Sequence, residues 1–205
     1  MNKNYNDLVK KSNEVSIKWR SIPAPQRGEY IRRFGEELRS QKNHLAATIT
    51  KEARKIKTES EGEVQEAIDM CDFAVGLSRQ LYGLTMPSER PNHRLQEIWH
   101  PIGTIGCITA FNFPIAVFAW NFCLAAVCGN SVIWKPSPHS NLCARKIKDS
   151  WDKVSDEFAD LILILEGEKE EAVAMCEDPA ISLISATGST QMGKELAPLV
   201  SKRLG

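Results

Sequence analysis

Three polar positions stand out because each falls where an apolar run ends. Asn112 lies between Phe111 and Phe113 and is followed by Pro114. Lys135 is the first charged side chain after residues 101–134, which carry none, although 25% of the chain is charged. Gly188-Ser189 opens the run GSTQMG, which closes on Gly193. An asparagine amide can donate to a developing oxyanion. A lysine ammonium can donate to ribose hydroxyls or to a phosphate. A glycine lets the chain turn tightly, and the free N–H groups and dipole of a following helix then favour an anion. The Ser189 hydroxyl adds a donor there. The run is neither G-x-G-x-x-G nor a Walker A motif, because the G-K-[ST] ending is absent. Singly, each position also has a plain structural reading: a turn asparagine, a solubilising lysine at a strand end, an ordinary capped helix. Placed together on one sheet edge, they favour a nucleotide site.

The remaining reactive side chains say less. Glu66 falls in the first turn of a helix, where the macrodipole favours it, and reads as a solvated glutamate. His44, His93, His100 and His139 show no metal spacing and no triad. The six cysteines are Cys71, Cys107, Cys123, Cys128, Cys143 and Cys176. They form no C-x-x-C pair, and Cys123 and Cys128 miss the spacing that shares a helix face. Buried reduced thiols in a cytoplasmic protein, with no metal, are the expectation.

The elements that would position these groups can be read in order. Residues 7–20 carry a loose helical pattern. Pro23 and Pro25 break the chain, and Pro25 suits the first position of a helix that buries Tyr30, Ile31, Phe34 and Leu38. Another helix is expected over 44–55. Ser60-Glu61-Gly62-Glu63 matches a capping box, ahead of an apolar stripe running to Tyr82, where Gly83 ends it. Residues 84–94 have turn chemistry and 95–100 alternate like a strand, so 83–100 reads as a hairpin excursion, of a kind often used for oligomer contacts and equally consistent in composition with a plain surface loop. Then come a strand over 104–110, the turn at Asn112, an apolar helix from Pro114 to about 128, and a strand over 131–135. A helix over 140–156, a strand over 161–165, a helix over 168–176, a strand over 181–185 and a last helix complete the pattern. Alternating strand and helix implies an α/β fold with a doubly wound parallel sheet, Rossmann-like. The organisation is therefore 1–82 helical, 83–100 hairpin and 101–205 parallel sheet.

At 205 residues the chain can bury a core unaided. Its 26 basic and 26 acidic side chains balance, so no global field selects nucleic acid or an acidic membrane. The polar start carries no secretory signal. The charge-free middle is interrupted by Asn112, Pro114, Asn121 and Gly129-Asn130, which argues against a membrane span.

The run PIGTIGCITAFNFPIAVFAWNFCLAAVCGNSVIWKPSP, followed by ISATGSTQMGKEL, resembles the aldehyde dehydrogenase superfamily. The N-F-P turn, the G-N-x-x-x-x-K-P strand and the T-G-S-x-x-x-G turn carry the likeness. VQEAIDMCDFAVGLSR, the S-E-R-P segment and Ala110-Phe111 before the asparagine resemble the antiquitin branch, the α-aminoadipic semialdehyde dehydrogenases of lysine catabolism. The resemblance implies oxidation of an aldehyde to a carboxylate with NAD, NADP being left open. It implies Asn112 in the oxyanion hole, Lys135 on the adenosine ribose, and Gly188, Ser189 and Gly193 at the pyrophosphate, with Ala110 and Phe111 at the cofactor. It also implies Glu66 at the amino end of the substrate, Ala116 and Trp120 beside the aldehyde, and a homo-oligomeric parent.

The chain departs from the family pattern in four places. Ala186 stands where phenylalanine is usual, and Pro138 stands where many NAD-using relatives carry a glutamate. A Pro-Gly before the third strand is missing. The family's E-L-G-G motif and its nucleophilic cysteine are not among these residues, so the catalytic domain is expected to be absent and the isolated chain inactive. A non-catalytic nucleotide-binding module, or one chain of a split enzyme assembling with a missing C-terminal chain, is the alternative.

Overall fold

The computed structural model describes residues 3–204. Four helices come first: α1 (Lys3–Trp19), α2 (Ala24–Ser40), α3 (Lys42–Ala53) and α4 (Lys57–Leu77). Pro25 is the second residue of α2, where a missing N–H leaves no hydrogen bond unmade. Arg54, in the left-handed conformation at φ 55°, stops α3. A short antiparallel hairpin follows, β1 (Thr85–Pro87) with β2 (Arg94–Gln96), in which Met86 faces Leu95. Its surroundings leave Leu84, Leu95, Ile98 and Trp99 exposed.

The rest of the chain alternates: β3 (Thr104–Ile108), α5 (Ala116–Val127), β4 (Ser131–Lys135), α6 (Asn141–Asp152), β5 (Ile162–Ile164), α7 (Lys169–Glu177), β6 (Leu183–Ala186) and α8 (Thr190–Lys202). The four strands form one parallel sheet in the order β5-β4-β3-β6. The chain moves outward from β3 to β5 and then returns to the far side of β3. The topological switch therefore lies between β3 and β6, where ligands of such sheets bind.

Both faces of the sheet are covered. Ile105, Cys107, Val132, Trp134 and Ile162 pack on one side against Phe34, Ile68, Phe118, Phe122 and Trp151 from the helices α2, α4, α5 and α6. Trp134 stacks on Phe118 with centroids 3.7 Å apart. On the other side Ile108, Ile133 and Leu163 meet Met175, Cys176 and Leu196 of α7 and α8. A Cβ on Gly106 would lie 2.6 Å from Ile184 Cδ1 and 2.8 Å from Met175 Cε, so this glycine lets α7 approach the sheet. No helix among the described residues is long and apolar enough to cross a membrane.

Several boundaries differ from the sequence reading, for physical reasons. Ser60 does not cap α4, which starts a turn earlier; Ser60 is buried inside the helix and its hydroxyl donates to the Ile56 carbonyl. Helix α4 ends at Leu77, not Tyr82, because the chain then turns toward the hairpin and leaves Tyr82 exposed. Strand β3 stops at Ile108 and α5 starts at Ala116 rather than Pro114, which lengthens the turn around Asn112. Strand β6 begins at Leu183 because Ile181 is drawn into the core beneath α7. A real capping box sits at α7, between Glu168 and Glu171.

Helix α1 closes the amino ends of β3 and β4 through buried hydroxyls. The Thr104 hydroxyl donates to Asn13 Oδ1 at 2.7 Å, and Ser131 Oγ donates to the Ser12 carbonyl at 3.0 Å. Ser12 Oγ lies 2.8 Å from Ser131 Oγ. All three hydroxyl residues are fully buried. Thr104→Val keeps the shape but strands these partners without water, so it should destabilise the fold by about 1–3 kcal/mol. Urea denaturation at unchanged m-value would measure it.

Candidate functional site

The carboxyl edge of the sheet carries two clefts separated by the turn at residues 109–115. The first has a volume of ≈ 540 Å³ and lies at the switch point. Ala110, Phe111, Lys135, Gly188 and Ser189 all line it. The register explains why: Ile108 is opposite Lys135 on one side and Ala186 on the other, so the residues that follow converge. Lys135 is 5% exposed and its ammonium donates to the Pro136 carbonyl at 3.1 Å. Burial pushes its pKa down, and the carboxylates of Glu168 and Glu171 partly oppose that. An ion pair from Lys169 to Glu195, at 2.6 Å, joins α7 to α8 at the rim.

Each sheet helix follows a strand, so four helix amino ends point toward this edge, each with unpaired N–H groups. Protein carboxylates fill three of them. Glu63 Oε1 accepts from the amides of Ile115 and Ala116, at 2.8 and 3.2 Å, at the start of α5. Glu52 accepts from Leu142 and Cys143, at 2.9 and 2.7 Å, at the start of α6. Glu168 and Glu171 close α7 in their capping box. Only α8 starts on a neutral cap: Ser189 Oγ accepts from Met192 N at 3.1 Å. An external anion is therefore directed to Gly188 and Ser189. Gly193 lies a turn further on, with its amide bonded to the Ser189 carbonyl, and it does not border the cleft.

The second cleft, ≈ 480 Å³, is lined by Lys55, Glu59, Gly62, Glu63, Glu66, Asn112 and Phe113. Asn112 is exposed within it. Glu66 Oε1 accepts from Trp120 Nε1 at 2.8 Å, so this glutamate is held rather than freely solvated. Ala116 is 1% exposed beneath Glu63 and presents no side chain to the cleft. No cysteine borders either cleft. Burial raises the Cys107 thiol to about 12 and pushes Cys128, Cys143 and Cys176 up as well. The contact with Cys71, at 3.6 Å, and then burial raise Cys123.

Glu52, Lys55, Glu168 and Glu195 were not singled out from the sequence, and Glu63 was read only as part of a capping box. One signal was there: α5 carries no charged residue, so it cannot complement its own dipole at either end.

The model of the aldehyde dehydrogenase family matches residues 1–205. The chain is 43% identical over 204 residues to aldehyde dehydrogenase family 7 member A1 of Malus domestica, covering 98% of this chain and 40% of that protein. It is 42% identical over 204 residues to the α-aminoadipic semialdehyde dehydrogenase of Bos taurus, covering 98% and 38% respectively. The chain thus spans about two-fifths of the length of these relatives. Its fold superposes on an aldehyde dehydrogenase from Brucella melitensis with TM-score 0.95 at 23% identity, over 98% of this chain and 42% of that one.

Two predictions follow from the cleft. Ser189→Asp keeps a good helix cap but fills the free amino end with charge. It should leave stability unchanged or slightly raised and weaken pyrophosphate binding by roughly tenfold or more, read by calorimetry. An anion in the cleft is attracted by Lys135 only while that side chain is the ammonium. Because its pKa is lowered, affinity should fall on raising the pH before the ordinary lysine range is reached. Lys135→Met should bind more weakly and lose that pH dependence.

Proposed function

The chain belongs to the aldehyde dehydrogenase family, and on that premise we propose that it forms the dinucleotide cleft and the oxyanion donor of an enzyme that oxidises an aldehyde to a carboxylate. The observation that carries the reading is that, of the four helices following the sheet strands, α8 alone has an amino end without a carboxylate, at Gly188 and Ser189, in a cleft that also holds Lys135. The cleft fits a nicotinamide dinucleotide in chemistry and in place, at the switch point of a parallel sheet. Gly188 and Ser189 hold the pyrophosphate there, and Lys135 holds the adenosine ribose. Ala110 and Phe111 form the wall toward the reacting end. The bound dinucleotide supplies the oxidant.

NAD is the proposed form. Glu168 and Glu171 set negative charge near the Lys135 ammonium. A 2′-phosphate brought to that lysine meets their field, whereas a ribose diol does not.

On the other side of the turn, the Asn112 amide donates to the oxygen that gains charge when a thiolate adds to the aldehyde carbon. Glu66 faces a cationic substrate end, with Trp120 orienting its carboxylate. This suits a semialdehyde bearing an amino group, α-aminoadipic semialdehyde being the proposed example, and a role in lysine catabolism. The thiolate must be contributed from outside these residues, since the described cysteines border neither cleft. The exposed apolar residues of the hairpin support an oligomer contact, and the half-exposed edge strand β6 supports assembly with further chain. The unpaired thiols fit a reducing compartment, the cytoplasm.

Calorimetric titration of the chain with NAD and NADP tests the reading. NAD should bind, roughly tenfold or more tightly than NADP. The chain alone should form no NADH with an aldehyde. Absence of NAD binding at millimolar cofactor would remove the proposal.

A further inference from the structure

We propose that the ion pair of Lys55 and Glu63 is the device that positions Asn112. This rests on the reading of Asn112 as the oxyanion donor. Asn112 lies on an irregular stretch between β3 and α5, and its side chain is exposed. Two side chains from the neighbouring helical layer grip that stretch from either side of Pro114. Lys55 Nζ donates to the Asn112 carbonyl at 3.2 Å and sits 3.9 Å from the centroid of the Phe113 ring. The same ammonium meets Glu63 Oε2 at 2.6 Å. The other oxygen of Glu63 takes the amides of Ile115 and Ala116. Residues 112, 113, 115 and 116 are thereby all tied to one charge pair.

The pair is buried. The Glu63 side chain is 0% exposed and that of Lys55 13%. Its attraction is therefore little screened by salt, and removing one partner leaves the other without compensation. An oxyanion donor acts only when it is fixed in place before the charge develops. Lys55 and Glu63 supply that fixing without touching the reacting atoms, so they are positioning residues. They also couple the turn to α4, the helix that carries Glu66.

The test uses NMR on the full 205-residue chain and three variants. Lys55→Met keeps an apolar stem over Phe113 but removes the ammonium. The Asn112 side-chain resonance and its carbonyl carbon should shift, while the amides of Ile115 and Ala116, still bonded to the Glu63 carboxylate, stay protected from exchange. Exchange within β3 and β4 should stay the same. Lys55→Arg, which can reach the same carboxylate, carbonyl and ring, should restore the wild-type signals. Glu63→Gln keeps a neutral acceptor for the two amides but loses the charge, so amide exchange at Ile115 and Ala116 should rise roughly tenfold and the Asn112 resonance should move. The proposal is overturned by unchanged signals in Lys55→Met, by a uniform rise across the sheet, or by Lys55→Arg behaving like Lys55→Met. NAD titration of the same variants should give wild-type affinity, because Lys55 lines the other cleft. Failure of the unsubstituted chain to bind NAD would sink the aldehyde-oxidising reading and leave the positioning result standing.

Discussion

The structure depends on how the amino ends of the sheet helices are neutralised. A parallel sheet with following helices collects several positive helix ends on one edge, each equivalent to roughly half an elementary charge. Left alone, all of them would attract anions and water. Here Glu63 and Glu52, from α4 and α3, reach across to the starts of α5 and α6. Hydrogen bonds of this charge-assisted kind contribute about 1.5–3 kcal/mol each. They dock the helical layer on the sheet, and they also decide which helix end remains open. Specificity for one anion position follows from filling the others.

Helix α5 shows the same logic at both ends. Its amino end meets Glu63, and its carboxyl end meets Arg27, whose Nε donates to the Val127 carbonyl at 2.9 Å. Trp19 Nε1 takes the Ala126 carbonyl beside it. The helix itself has no charged residue and is buried on most faces, so it cannot complement its own dipole. The neighbouring helices do so instead. The burial of Arg27, which pushes its pKa down, is offset by hydrogen bonds from Nε to the Val127 carbonyl and from Nη1 to the Ile22 carbonyl.

These cross-layer contacts were the part least legible in the sequence. Strand β4 was readable to the residue, because its five positions are all buried and a turn precedes it. Lys135 and Ser189 were readable because chain order alone places the ends of β4 and β6 on one edge. Glu63 was misread: S-x-x-E looks the same inside a helix as at its start, and the true start at Lys57 has no side-chain cap to mark it. Glu66 looked solvated because its partner, Trp120, is far away in sequence. Glu52 has no local pattern, since its partners lie on α6. Periodicity reports which face of an element is apolar; it does not report which distant amide a carboxylate will meet.

The turn between β3 and α5 joins these threads. Phe111 lines the switch-point cleft and Asn112 lines the acidic one, so consecutive residues serve opposite sides of one short stretch. The carbonyl side of the stretch is held by Lys55 and its following amides by Glu63. Behind it, Thr109 is fixed to β4: its amide donates to the Lys135 carbonyl, and its hydroxyl oxygen accepts from Trp134 Nε1. Lys135 and the turn are therefore parts of one hydrogen-bonded edge. The proposed oxyanion donor, Asn112, is set on an irregular segment, and the regular elements on both sides supply the rigidity that segment lacks.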